Sequence, residues 1–250
     1  MSFLLFLFRA VFVVAWIVSS LLSVAVVYPF VPLPARNFMN HQWSRALIWI
    51  CGVEVRVVGQ PVMQGPALWV ANHVSWIDIF VLSSVRCVAF IAKSEIRRWP
   101  IIGWLVAKAG TVFIQRGQRH AIKTVGDQMK CRFAQGEVLG LFPEGTTSGG
   151  LDVGPFHSSL FDPAVRAEVC IQPVALRFLH RGKRSDYVAF VGDQNLVQNL
   201  WVLLGTTQVV VEVVFLPLFS IDQCQEWGRS KVAAHAHHVI SHAVRSGRRG

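Results

Sequence analysis

Ala67-Leu68-Trp69-Val70-Ala71-Asn72-His73-Val74-Ser75-Trp76-Ile77-Asp78 is the stretch on which the fold turns. Its apolar opening reads as a buried strand, and it delivers His73 to that strand's carboxyl end, where open α/β sheets place their chemistry. A turn after the strand and a helix starting near Ser75 would fold the Asp78 carboxylate back onto one imidazole nitrogen. The pair would then hold one tautomer and leave the other nitrogen free to take a proton from an attacking hydroxyl.

Spacing alone is weak support, because nine His and seven Asp give roughly 0.25 chance matches to His-x4-Asp in a chain of this length. The chain does hold a second copy, His157 to Asp162. That copy follows a loop rich in Gly and Pro, so no strand pins its histidine, and context selects His73.

Composition narrows the class. A hydrophobic share of 53% with positive mean hydropathy exceeds that of an ordinary soluble domain, so some surface is expected to meet lipid. A net charge of +10 suits an anionic partner such as lipid headgroups or a phosphorylated or acidic cosubstrate. Nucleic acid fits poorly, since only 15% of residues are charged and no recognition motif appears. The five scattered cysteines, Cys51, Cys87, Cys131, Cys170 and Cys224, include no C-x-x-C; they point to a reducing compartment, with neither a disulfide framework nor a zinc site.

Residues 1–50 are expected to form a membrane anchor and linker, and residues 51–250 the globular domain. From Ala10 to Tyr28 no charge occurs, close to the ~20 residues that span a bilayer as a helix. A signal peptide is the poorer reading, because the apolar run exceeds the usual ~7–15 residues and no cleavage site follows. A spanning helix and an in-plane or re-entrant anchor both remain open. Trp43 to Trp49 reads as a short linking helix. Val53 to Val58 alternates as a strand; further strands are expected at 67–72, 88–92, 111–116, 138–142, 169–178, 187–191 and 209–215. Helices are expected at 77–85, 101–108, 121–133, 196–204 and 230–244. Pro173 inside its strand calls for a sheet edge or a bulge. His73, Arg116 and Glu144 each follow an apolar strand, so three strand ends present polar residues to one crevice. His235, His237, His238 and His242 lack a companion carboxylate, and a metal site there is not expected. Arg245, Arg248 and Arg249 suit contact with anionic lipid.

Four blocks then appear in order: Asn72-His73-x4-Asp78, Gly110 to Arg116, Phe142-Pro143-Glu144-Gly145-Thr146, and Ile171-Gln172-Pro173-Val174-Ala175. Together with Lys93-Ser94-Glu95 followed by Pro100 and Gly103, they resemble the glycerolipid acyltransferases of the lysophosphatidate acyltransferase type. The resemblance implies that His73 deprotonates the acceptor hydroxyl while Asp78 orients it. The resulting alkoxide attacks the acyl thioester directly, without an acyl-enzyme. It implies that Lys93 and Arg116 hold the acceptor headgroup, that Glu144, Gly145, Thr146 and Thr147 line its neighbouring part, and that Pro173 and Val174 shape the acyl side. No metal or bound cofactor is implied; the cosubstrate is acyl-CoA or acyl-carrier protein.

The fold expected is α/β, a mixed, largely parallel central sheet flanked by helices behind a hydrophobic N-terminal anchoring segment. The expected location is the inner (cytoplasmic) membrane with the catalytic domain facing the cytosol. The first acceptor expected is 1-acyl-sn-glycerol-3-phosphate, giving phosphatidic acid. One departure from the family favours an alternative: where it usually carries arginine after Gly-Thr, this chain has Thr147, removing a guanidinium worth about 1.5–3 kcal/mol to a buried phosphate. His157 replaces a Lys or Arg in many members. The Thr-Thr-Ser variant resembles the branch that acylates lyso-ornithine lipid, which has no phosphate. A non-catalytic lipid-binding protein is the reading from another class, and intact His73, Asp78 and Glu144 oppose it.

Overall fold

The computed structural model describes residues 2–114 and 119–246. In chain order the elements are α1 (Phe3–Leu22), α2 (Leu33–Cys51), β1 (Val53–Val58), β2 (Ala67–Ala71), α3 (Asp78–Ser83), β3 (Val88–Lys93), α4 (Ile102–Lys108), β4 (Val112–Ile114), α5 (Arg119–Ala134), β5 (Val138–Leu141), α6 (Asp162–Arg166), β6 (Cys170–His180), β7 (Lys183–Arg184), α7 (Leu196–Leu204), β8 (Val209–Phe215) and α8 (Ile221–Ser246). The strands form one sheet in the order β1-β8-β6-β2-β5-β3-β4, with β7 folded back on β6 as a short hairpin. Along that path only β6 and β8 run antiparallel. The architecture is the mixed, largely parallel sheet expected.

Strand β2 lies between β6 and β5, and its five residues are all buried. Ala67, Trp69 and Ala71 enter a core shared with α2, α3 and α7, whereas Leu68 and Val70 enter a second core formed with α5, α6 and α8. Covering both faces is what makes the strand an unbroken apolar run instead of an alternating one. Complete burial of a side chain such as Leu68 contributes about 1.5–3 kcal/mol, so β2 anchors both layers at once.

Helix α1 has two sides. Phe6, Ala10, Val13 and Trp16 pack against the first core, while Phe3, Leu4, Phe8, Val11 and Val14 are exposed. The apolar stretch Phe3–Phe30 has a mean hydropathy of 2.6 and is long enough to cross a membrane. Its one charge, Arg9, turns inward. The guanidinium donates to the carbonyls of Leu204 (3.2 Å) and Thr206 (2.5 Å), meeting acceptors that the end of α7 leaves unpaired.

Several elements differ from the sequence expectation. The linking helix is longer, starting at Leu33, because Pro34 lies in its first turn, where a proline's missing N–H costs nothing. Residues 187–191 form a turn that buries Val188 and Ala189 and leaves Tyr187 and Val191 exposed, with Ala189 N–H donating to the Asp186 carbonyl and Phe190 N–H to that of Val74; β2 and β8 already fill both sides of β6. Pro173 is central in the sheet. It is tolerated because β8 ends at Phe215, opposite Val174: the Pro173 carbonyl accepts from Leu216 N–H (3.0 Å), and the exchange of backbone bonds resumes only at Ile171 and Phe219, one residue out of register, the bulge that such a proline calls for. The last helix begins at Ile221 and breaks at Gly228.

Candidate active site

Parallel strands β6, β2, β5, β3 and β4 bring their carboxyl ends to one edge of the sheet. Asn72, just past β2, extends the pairing with β6 through its side chain: Nδ2 donates to the Leu176 carbonyl (3.0 Å) and Oδ1 accepts from Leu176 N–H (2.8 Å). That amide is fully buried and satisfied on both atoms, so the exit of β2 is fixed before the chain reaches His73.

The turn into α3 places Asp78 in that helix's first turn, completely buried. Its Oδ2 accepts from Val74 N–H (2.7 Å), Ser75 N–H (3.0 Å) and Nδ1 of His73 (2.8 Å). A carboxylate oxygen acts as acceptor to all three, which assigns the hydrogen of the neutral ring to Nδ1 and the lone pair to Nε2. The His73 side chain is 19% exposed, and Nε2 has no hydrogen-bond partner among the described residues. Oδ1 of Asp78 is buried and unpaired, so all the positioning runs through one oxygen.

The imidazole is held on its flat side as well. Phe142 stacks on it with centroids 4.1 Å apart and planes 12° apart, and Phe90 stacks parallel to Phe142 at 5.5 Å. Gly140 makes room for this pile of rings, since a Cβ there would lie 2.4 Å from Cε1 of Phe90. The histidine is therefore fixed in its own plane by Asp78 and against tilting by Phe142.

Glu144 comes from the turn after β5 and is 7% exposed. Oε1 accepts from the backbone N–H of His73 and Oε2 from that of Gly154, each at 2.8 Å. Burial pushes its carboxyl pKa up, against the lowering effect of those two backbone bonds and of His73. The carboxylate thus ties the β2 exit to the loop at Gly154. Ser148 adds a bond from its N–H to the His73 carbonyl (2.8 Å).

The remaining predicted residues fall around this centre unevenly. Gly145 and Thr146 follow Glu144 in the same turn, Thr146 exposed. Thr147 donates its hydroxyl to the Phe190 carbonyl, so the side chain at the position usually arginine is bound into the wall. Lys93 is the exposed last residue of β3, in register with Ile114 and one strand beyond β5. Pro173 and Val174 lie beside Val70 and Ala71 in β6 and are buried. Arg116 lies outside the described residues, as do Arg248 and Arg249. Arg177 is paired with Glu212 (2.8 Å), and Arg184 donates to the Gly150 carbonyl (2.7 Å).

Asn72, Phe142, Phe90, Ser148 and Gly154 support the site without having been assigned a part from the sequence. Only Asn72 and Phe142 carried a signal there, as neighbours of His73 and Glu144 in the quoted blocks. Among the described residues no three His, Cys, Asp or Glu side chains gather as a metal site. On α8, His235 packs edge-on against Trp227 and His237 against Phe156.

Comparison with known proteins bears on the family and on the fold. The family model described as Acyltransferase matches residues 54–177, which hold His73, Asp78 and Glu144. The chain is 36% identical to the lyso-ornithine lipid O-acyltransferase of Pseudomonas aeruginosa over 212 residues, covering 84% of this chain and 80% of that protein. It is 38% identical to the 1-acyl-sn-glycerol-3-phosphate acyltransferase of Neisseria gonorrhoeae over 162 residues, covering 64% and 63%. The crystal structure of the 1-acyl-sn-glycerophosphate acyltransferase from Thermotoga maritima superposes with a TM-score of 0.72, covering 99% of this chain and 96% of that one, at 20% identity, a likeness of fold.

Proposed function

The chain belongs to the acyltransferase family, and from that premise we propose that it moves a fatty acyl group onto the free hydroxyl of a membrane lysolipid with His73 as general base. The observation that carries this reading is the His73 ring, bonded through Nδ1 to buried Asp78 with Nε2 open. Nε2 takes the acceptor's proton as its oxygen attacks the thioester carbonyl of acyl-CoA or acyl-carrier protein. The C–O ester bond forms, the C–S bond breaks, and the proton on Nε2 passes to the leaving thiolate. Asp78 and Phe142 hold the imidazole in the attacking orientation throughout. Glu144 supports the His73 backbone from beneath. Lys93 and Arg116 serve the acceptor headgroup, and Pro173 and Val174 back the acyl side.

For the acceptor we favour lyso-ornithine lipid. Position 147 offers a hydroxyl already engaged with Phe190, so no guanidinium projects from there toward a phosphate. The Pseudomonas protein named for that acceptor also aligns over most of this chain. The second reading, 1-acyl-sn-glycerol-3-phosphate, is favoured by the Neisseria relative and by Lys93 standing exposed at its strand end. Membrane association follows from α1 and from the lipid acceptors of the relatives. We place the protein at the inner membrane with the site facing the cytosol.

Membranes carrying the protein, offered both acceptors in parallel with His73→Ala as the blank, test the assignment. Product from lyso-ornithine lipid alone is expected, and Thr147→Arg is expected to shift turnover toward the phosphate acceptor. Product from lysophosphatidate alone overturns the favoured acceptor. Turnover retained in the blank overturns the general base.

A further inference from the structure

Beyond β3 the chain makes a tight turn over Ser94–Arg98 and continues into α4. From Lys93 to Lys108 it carries four cations, Lys93, Arg97, Arg98 and Lys108, against one carboxylate, Glu95. Between the cations stand three large apolar side chains turned to solvent: Trp99 (45% exposed), Ile101 (54%) and Trp104 (40%). This is not a loose loop. Gly103 sits so close beneath it that a Cβ would lie 2.4 Å from the Arg97 carbonyl, and the Arg97 guanidinium lies over the Phe113 ring at 5.7 Å.

Ile101 is held at φ 64°, a conformation that a β-branched residue adopts only under strain. The local fold thus bears a backbone cost while presenting this apolar side chain outward.

We propose that residues 93–108 are a second membrane contact, distinct from α1, that sets an anionic lipid surface against the mouth of the site. The chemistry matches both layers of a bilayer's edge. Tryptophans seat at the boundary of headgroups and hydrocarbon, and arginine and lysine beside them meet anionic phosphates. The exposed face of α1 is apolar and uncharged, so it answers to hydrocarbon, whereas this segment answers to the headgroup layer. It follows directly from β3, whose carboxyl end shares the sheet edge with His73, so a lipid acceptor drawn from that layer has a short way to go. The inference rests on the acyl-transfer reading only for its functional purpose.

The first test needs no turnover. Full-length protein is bound to phosphatidylglycerol–phosphatidylcholine vesicles with brominated acyl chains, and its tryptophan emission is compared with that of the double variant Trp99→Phe, Trp104→Phe. The difference spectrum isolates these two rings, and it is expected to be quenched by the brominated lipid. An unquenched difference spectrum overturns the proposal, whatever the enzyme does.

The second test uses activity. With a vesicle-borne acceptor, Arg97→Gln and Arg98→Gln are each expected to raise the apparent KM about fivefold at high phosphatidylglycerol, with kcat unchanged. A short-chain acceptor in free solution is expected to show no change. A KM increase for acyl-carrier protein, without one for vesicle acceptor, would assign the surface to an acidic protein and overturn the membrane contact. Absence of any turnover in the wild type would defeat the acyl-transfer reading and leave the quenching result standing.

Discussion

The chain contains the same six-residue pattern twice, and the two copies behave differently. His73 follows a strand buried on both faces, and Asp78 reaches its Nδ1 at 2.8 Å from a fully buried position. His157 follows a loop and is exposed, and its Asp162 is paired with Arg166 at 2.7 Å. At His73 the strand end is pinned by Asn72, and two backbone N–H groups aim the carboxylate. At His157 the backbone is held, among the described residues, by one bond, from its N–H to the Pro143 carbonyl. A spacing becomes a fixed contact only where the surrounding backbone leaves the two side chains no alternative.

The largest expected effect breaks the first copy outright. His73→Ala removes the proposed base and is expected to lower kcat by about 10²–10⁴-fold, read by acyl transfer in membranes, while vesicle binding is retained. Asp78→Asn is next. An amide can offer Oδ1 to the two backbone donors and still misorient the imidazole, so a loss on the order of 10²-fold is expected, equivalent to about 1.5–3 kcal/mol for one charged hydrogen bond. A variant with wild-type kcat would show that ring stacking alone aligns His73.

That stacking can be measured separately. Phe142→Leu keeps the volume apolar but removes the ring lying 4.1 Å from the imidazole. A fall in kcat of about 2–10-fold is expected, the equivalent of ~0.5–1.5 kcal/mol for an aromatic pair. Phe142→Tyr is expected to restore it, which a merely volume-filling residue would not require.

Glu144 gives the comparison a pH axis. Burial holds its carboxyl above the ordinary value of 4.5, so the folded chain keeps that proton to higher pH than the unfolded chain. The associated stability is fully present below 4.5 and is lost as the pH climbs through the raised value. Glu144→Gln removes that slope. Unfolding midpoints measured in detergent from below 4.5 to neutrality are expected to fall with pH in the wild type more than in the variant. Parallel curves would mean that the two backbone bonds cancel the cost of burial.

Which parts were legible in the sequence follows from how local each feature is. The strands Val53–Val58 and Val209–Phe215 and the helix Leu196–Leu204 were found at their full extents, because period and flanking residues lie within the segment itself. The His73–Asp78 contact was legible for the same reason: one turn of chain separates the partners. Residues 187–191 were misread as a strand because their continuous apolar run says nothing about the sheet positions beside β6 being taken. The Phe142 stack was invisible because it needs β5 beside both β2 and β3, and the Glu144 bond to His73 N–H spans the same non-local pairing.

The smallest expected effect sharpens the comparison most. If context decides, the second copy should be silent. His157→Ala is expected to leave turnover within about twofold, because the ring is exposed and the one bond recorded for this residue is made by its backbone N–H, which alanine keeps. Asp162→Asn removes an ion pair with a largely exposed Arg166, worth less than ~1 kcal/mol, and is expected to move the unfolding midpoint slightly and kcat not at all. The pairing matters more than either variant alone. Equal losses at Asp78 and Asp162 would make the carboxylates interchangeable supports of the fold. A loss at Asp78 beside silence at Asp162 assigns the difference to what surrounds them: three donors on one buried oxygen in the first case, and a solvent-facing arginine in the second.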